Sequence, residues 1–174
     1  ALNILGQVAS LQGENEKARD LCRQSLHMKR MIGDRWGMTF SLTYLGRVEL
    51  MLGEYREAKE LFQESMTISE RFGDRRGIAF ALFNLGNVAK AQGKAQHVEA
   101  QRLYQESLYL YNEIGNRQEA CLTLIKLGEV ACELGTWHEA KFNFRHALAT
   151  ALEINSTPCM LAGLLGMATL HTCL

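Results

Sequence analysis

The sequence predicts an all-α fold, a solenoid of about nine helices arranged as antiparallel pairs. Three observations predict it. One ordered set of marks recurs four times along the 174 residues. Between the marks, apolar residues fall at offsets of three, four and seven, the spacing of one helix face and not the alternation of a strand. The chain has 15 glycines but a single proline, too little turn chemistry for a β-rich fold or a disordered tail.

The first mark is Leu-Gly, at Leu5-Gly6, Leu45-Gly46, Leu85-Gly86 and Leu127-Gly128, in steps of 40, 40 and 42. A second glycine follows at Gly13, Gly53, Gly93 and Gly135, then an alanine at Ala18, Ala58, Ala100 and Ala140. A small residue comes next, at Ser25, Ser65, Ser107 and Ala147. The set closes on a turn signal, Gly33-Asp34, Gly73-Asp74, Gly115-Asn116 and the degraded Asn155-Ser156. Repeats therefore run over 1–34, 35–74, 75–116 and 117–156 of a single array, with a half repeat or capping helix at 157–174.

The elements follow in order. The first helix, α1, is predicted over 1–12, closed by Gly13, a residue that adopts a left-handed cap cheaply. Its pair, α2, runs over 15–32 to the Gly33-Asp34 turn, where Asp is placed to cap the next helix. The same two signals put α3 at 35–52, α4 at 55–72 and α5 at 76–92. Repeat 3 carries two extra residues before Ala100, within the stretch KAQHVE, so its turn is longer and α6 spans 96–114. Then α7 is expected at 117–134, α8 at 137–154 and α9 at 158–173. Pro158 lies in the first turn of α9, where proline is tolerated, and Leu-Gly has become Met167-Ala168. A mid-helix glycine such as Gly46 costs roughly 1 kcal/mol against alanine, so its recurrence implies close approach of a neighbouring helix. No single pair can bury its stripe alone, but a stack can.

This pattern resembles the tetratricopeptide repeat, which implies that the solenoid is a right-handed α-solenoid. The matching residues are the Leu-Gly of the first helix, Ala58 of the second, the aromatic Phe62 four later and the small Ser65 after that. The resemblance covers the whole chain, with three departures. The period is about 40 instead of 34. The usual aromatic pair of the first helix is replaced by Leu42 or Leu82 and by Glu49 or Ala89, and the closing proline by Gly-Asp. The phrases SERFGDRRGIAFALFNLGNVA and GEYREAKELFQESM look like the long-repeat branch. That branch occurs in bacterial maltose-regulator-like transcription activators with a nucleotide-switch ATPase, Rap proteins, kinesin light chains and Pins/LGN-type polarity adaptors. The Gly-Asp-Arg-Arg-Gly-Ile-Ala wording most resembles the bacterial regulators.

Charge and composition exclude several functions. Nineteen basic and nineteen acidic side chains leave zero net charge, against a nucleic-acid-binding face. No stretch approaches 18 consecutive apolar residues, so no membrane span is expected, and ALNILGQVAS does not read as a signal peptide. Five scattered cysteines, Cys22, Cys121, Cys132, Cys159 and Cys173, read as reduced thiols of a cytosolic protein.

Catalytic motifs are missing. There is no phosphate loop. His27, His97, His138, His146 and His171 have no metal-binding spacing and read as surface or packing residues. Cys121 and Cys132 share a helix face three turns apart, as small core residues do. Glu129 and Glu133 read as a solvated carboxylate pair, and the charges around Arg71, Asp74, Arg75 and Arg76 as local ion pairing. Tyr104 falls on the core stripe, leaving Tyr109 and Tyr111 as recognition candidates. The expectation is a protein that is not an enzyme and holds no cofactor and no metal.

What remains is the face beside the Leu-Gly mark, which in the resembled family lines a concave binding groove. Its residues are Asn3 and Gln7; Thr43, Tyr44 and Arg47; Phe83, Asn84, Asn87 and Lys90; Ile125, Lys126, Glu129 and Glu133; then Leu165 and Thr169. Amides there suit a peptide backbone, and Arg47, Lys90 and Lys126 suit carboxylates. The carboxylate clamp that some family members use fits only at Asn84 and Lys126; Thr43, Arg47 and Leu122 break it. The expected function is a scaffold binding a peptide, a protein partner or a small effector, as sensor or coupling segment of a larger cytoplasmic signalling or transcription regulator whose adjoining domains are further partners. The alternative is a structural spacer, or a module that forms homo-oligomers through its end helices.

Overall fold

The computed structural model describes residues 2–173, with side chains described through Leu170. Ala1 and Leu174, and the readings of the His171 and Cys173 side chains, lie outside the described residues. Nine α-helices are present among the described residues: α1 (Leu2–Leu11), α2 (Asn15–Met31), α3 (Arg35–Leu52), α4 (Tyr55–Arg71), α5 (Arg75–Ala91), α6 (His97–Glu113), α7 (Arg117–Glu133), α8 (Trp137–Glu153) and α9 (Thr157–Cys173). Each agrees with its predicted span to within two residues. The fold is an all-α helical repeat.

The turns end where the glycine marks stand. Gly33, Gly53, Gly73, Gly115 and Gly135 all take positive φ, and Asn155 fills the same role at φ 52°. This left-handed residue lets the next amide reach back to a carbonyl five residues earlier, as in Glu54 to Glu49 at 2.9 Å, Thr136 to Ala131 at 2.9 Å and Ser156 to Ala151 at 2.9 Å. Carbonyls that the helix end would strand are satisfied. Asp34 and Asn116 then open the following helices, their side chains accepting from Gly37 N at 2.7 Å and Glu119 N at 3.3 Å. The longer turn of repeat 3 contains a single 3₁₀ turn at Lys94–Gln96.

The chain divides into two compact units, Ala1–Val88 and Ala89–Leu174. In the first, α1 packs on α2, α2 on α3 and α3 on α4. Its core centres on Cys22, Leu26, Met38, Leu42, Leu45, Leu61 and Ile68. In the second, α6 packs on α7, α7 on α8 and α8 on α9, around Leu124, Ile125, Phe144, Ala147, Cys159 and Leu170. The recurring Leu-Gly mark does the same job in both units. A Cβ added at Gly46 would lie 2.8 Å from the ring of Phe62, and one at Gly128 2.5 Å from the ring of Phe144. The glycine admits an aromatic ring from the second helix of the pair, sixteen residues on, and at Gly6 the Cys22 sulfur takes that place.

Candidate functional site

In the first unit a cavity of about 190 Å³ opens between α1 and α3. Gly6, Cys22 and Val48 line it with apolar surface, and Gln7, Tyr44 and Arg47 supply polar groups. The repeat sets this up. Gln7 and Arg47 occupy the same register 40 residues apart, one position after the Leu-Gly mark. Arg47 is exposed and makes no ion pair or hydrogen bond among the described residues, so its guanidinium donors are not spent within the described fold. Cys22 brings no reactivity: burial pushes its thiol up to about 11, leaving it a small apolar wall. Ser10, Leu11 and Met51 complete the lining. Sequence reasoning missed them, although Leu11 and Met51 follow Gln7 and Arg47 by four residues, on the same helix face.

Thr43 does not join this site. It is buried, its hydroxyl 3.3 Å from that of Ser65, because residue 43 lies on the face of α3 that α4 covers. Asn84 is also buried and donates its amide to the Phe80 carbonyl at 2.8 Å, within α5. Phe83 and Asn87 are half-buried on the same helix. Asn3 reaches the Ser41 hydroxyl at 3.1 Å.

Beneath this face sits a carboxylate that is fully buried, Glu49. Arg19 approaches it at 3.2 Å and Arg23 at 3.1 Å, and Arg23 also holds Glu57 at 2.9 Å. Burial raises the Glu49 carboxyl above the ordinary range, and the Glu57 charge adds to this, while both arginines oppose it. Such a pair is costly to bury and joins α2 to α3 and α4.

In the second unit the expected cations are already engaged. Lys90 pairs with Glu129 at 2.5 Å and with Glu133 at 3.5 Å. Lys126 pairs with Glu129 at 3.0 Å, and His97, itself buried, lies 3.1 Å from Glu133. Glu129 and Glu133 are therefore not a solvated pair but the acidic half of a charge network. Burial works against the Glu129 carboxylate, yet the Lys90 hydrogen bond and the Lys126 charge outweigh it and hold the carboxyl below the usual range. Ile125 is in the core, and Leu165 and Thr169 are exposed. Tyr111 is fully buried, which removes it as a recognition residue. It stands seven residues after Tyr104, on the same buried stripe. Tyr109 is exposed, with its hydroxyl donating to Glu113 at 2.8 Å.

A tetratricopeptide repeat family model matches residues 1–71 and 38–97. The chain belongs to the tetratricopeptide repeat family. None of the curated proteins matches it significantly. Among solved structures, this tetratricopeptide repeat chain is similar to a Rap protein complexed with Competence and Sporulation Factor. The TM-score is 0.86 at 13% identity, over 93% of this chain and 45% of that one. It is similar to a Signal Transduction ATPase with Numerous Domains from Pyrococcus horikoshii with a tetratricopeptide repeat sensor. There the TM-score is 0.84 at 15% identity, over 98% of this chain and 26% of that one. A kinesin light chain repeat protein from Podosopora anserina gives 0.79 at 16% identity, over 99% and 84%. The chain thus spans less than half of the Rap protein and about a quarter of the ATPase. Among the described residues, no helix is long and apolar enough to cross a membrane, and no three metal-ligating side chains cluster.

Proposed function

We propose that this chain is a non-enzymatic binding module that takes a peptide, a protein segment or a small effector between α1 and α3, as the sensor or coupling segment of a larger signalling protein. The observation that carries the reading is the 190 Å³ cavity beside Tyr44 and Arg47. It combines an apolar lining with a cation that has no internal partner, the composition of a site for an anionic ligand with an apolar side. The Rap protein bound to its factor and the ATPase with a repeat sensor support a ligand-receiving role. Binding would act by favouring one of two pre-existing states of the parent protein, which requires different affinity for each.

The test uses a fluorescent 12-residue peptide of alternating Glu and Leu, titrated by anisotropy. Arg47→Glu is expected to weaken its binding at least ten-fold, with far-UV circular dichroism unchanged because residue 47 is exposed. Equal affinity for the parent chain and the Arg47→Glu variant would remove the site.

A further inference from the structure

Three helices open on the same residue. Arg35, Arg75 and Arg117 are the first residues of α3, α5 and α7. A cation at that end opposes the helix dipole, and a nearby anion offsets the cost. In repeat 4 the second helix supplies that anion. Glu153, two residues before the left-handed Asn155, forms an ion pair with Arg117. Glu113 holds the same place before Gly115 in repeat 3. Repeat 2 differs: the residue two before its closing Gly73 is Arg71. Arg71 follows Arg35 by the same 36 residues that separate Glu153 from Arg117. A second arginine therefore stands where repeat 4 has a carboxylate.

Both arginines line one open cavity of about 460 Å³ in the first unit, among α2, α3 and α4. Arg30 and Glu64 also line it and are already engaged. The Arg30 Nη2 donates to the two carboxylate oxygens of Glu64 at 2.9 and 2.8 Å. Arg35 and Arg71 are exposed, and neither side chain makes an ion pair or hydrogen bond among the described residues. The local ion pairing expected of Arg71 is therefore not formed there. Asp34, beside Arg35, accepts from Gly37 N at 2.7 Å and faces Lys29 at 3.7 Å. Three arginines against one glutamate leave two positive charges on the cavity wall. Its apolar surface comes from Met38 and Ile68, which belong to the core.

We propose that Arg35 and Arg71 bind a phosphate monoester whose ester group is apolar. Near neutral pH such a group carries a charge of about −1.5 to −2, which matches two unengaged guanidinium groups. A carboxylate or a sulfate ester brings a single charge. The planar guanidinium fork fits phosphate oxygens with two parallel hydrogen bonds. Glu64 does not repel the ligand, because Arg30 neutralises it. The ester group lies against Met38 and Ile68, a contact that inorganic phosphate lacks. The bound phosphate takes the electrostatic part beside Arg35 that Glu153 plays beside Arg117.

Calorimetric titration of the 174-residue chain at pH 7.5 tests this with phenyl phosphate, phenyl sulfate and inorganic phosphate. Phenyl phosphate is expected to bind saturably, at least ten-fold tighter than either control, and to weaken when salt rises from 50 to 500 mM. Arg71→Glu should abolish binding without lowering the melting temperature, because it rebuilds beside Arg35 the pair that Arg117 makes. Arg35→Gln should weaken binding at least ten-fold. No saturable binding, equal affinity for phenyl sulfate, or binding that survives Arg71→Glu would each overturn the proposal. So would loss of binding in Arg47→Glu with Arg71→Glu silent, since that assigns the anion to the cavity between α1 and α3. Arg47→Glu is otherwise without effect on this readout, which separates the two sites. A glycine-flanked phosphotyrosine peptide identifies the source of the ester. Binding tighter than phenyl phosphate assigns it to a phosphorylated protein, and equal or weaker binding to a small molecule.

Discussion

Glu49 and Glu129 both sit on the first helix of a pair, and their surroundings treat them in opposite ways. Glu49 is sealed from water, so burial raises its carboxyl despite Arg19 and Arg23. Glu129 keeps contact with solvent and two lysines, which hold its carboxyl low. The linkage signs differ accordingly. The contribution of Glu49 is fully present below the ordinary carboxylate range and is lost as pH rises through its raised value. That of Glu129 is fully present above the range and is lost as pH falls through its lowered value. Urea melts at stepped pH should show the stability advantage of the parent chain over Glu49→Gln growing as pH falls from 7 to 4. The advantage over Glu129→Gln should shrink across and below that interval. Parallel profiles for the two variants would contradict these environments. Neither environment was legible in sequence, because charge pairing depends on which helices meet. Glu129 and Glu133 read as a solvated pair until α5 and α6 delivered Lys90 and His97.

At the scale of elements, the helix–helix contact turns on a ring against glycine. Phe144 is buried and is flanked by Gly128 of α7 and Gly166 of α9. Phe144→Ala is expected to cost about 3–5 kcal/mol by leaving a cavity shared by both neighbours. Gly128→Ala should cost about 1–3 kcal/mol by overpacking the ring. Chemical denaturation measures both, and a Gly128→Ala chain as stable as its parent would show that the ring has room to move. The helix ends were legible because a glycine or asparagine in the left-handed region is a local requirement. The stripe was legible through Tyr104 and Ser107, and the same spacing carries it on to Tyr111. Thr43 and Asn84 were not, because a polar residue on a helix reads as solvent-facing until a second helix covers it.

Across the whole molecule, the helices differ in how completely they are covered. α3 and α7 are packed by helices of their own and the preceding pair. α1 leaves Ile4, Leu5, Val8 and Leu11 exposed, and α9 leaves Leu161, Leu164 and Leu165 exposed. Local opening costs less where fewer apolar contacts must be broken. Hydrogen exchange should therefore be faster in α1 and α9 than in α3 and α7. Uniform protection along the chain would contradict this ordering.

By itself the sequence determined the all-α repeat, its period of about 40, its helix bounds and the helix faces that carry core residues. Each of these follows from backbone conformation and from side-chain spacing along a single helix, which are local properties. Only the tertiary structure decided that Arg47 and Tyr44 border a cavity, that Lys90 and Lys126 are already spent on Glu129, and that Glu49 lies buried against two arginines. These depend on side chains up to 40 residues apart being brought within a few ångströms of each other. One-helix periodicity holds no record of that distance.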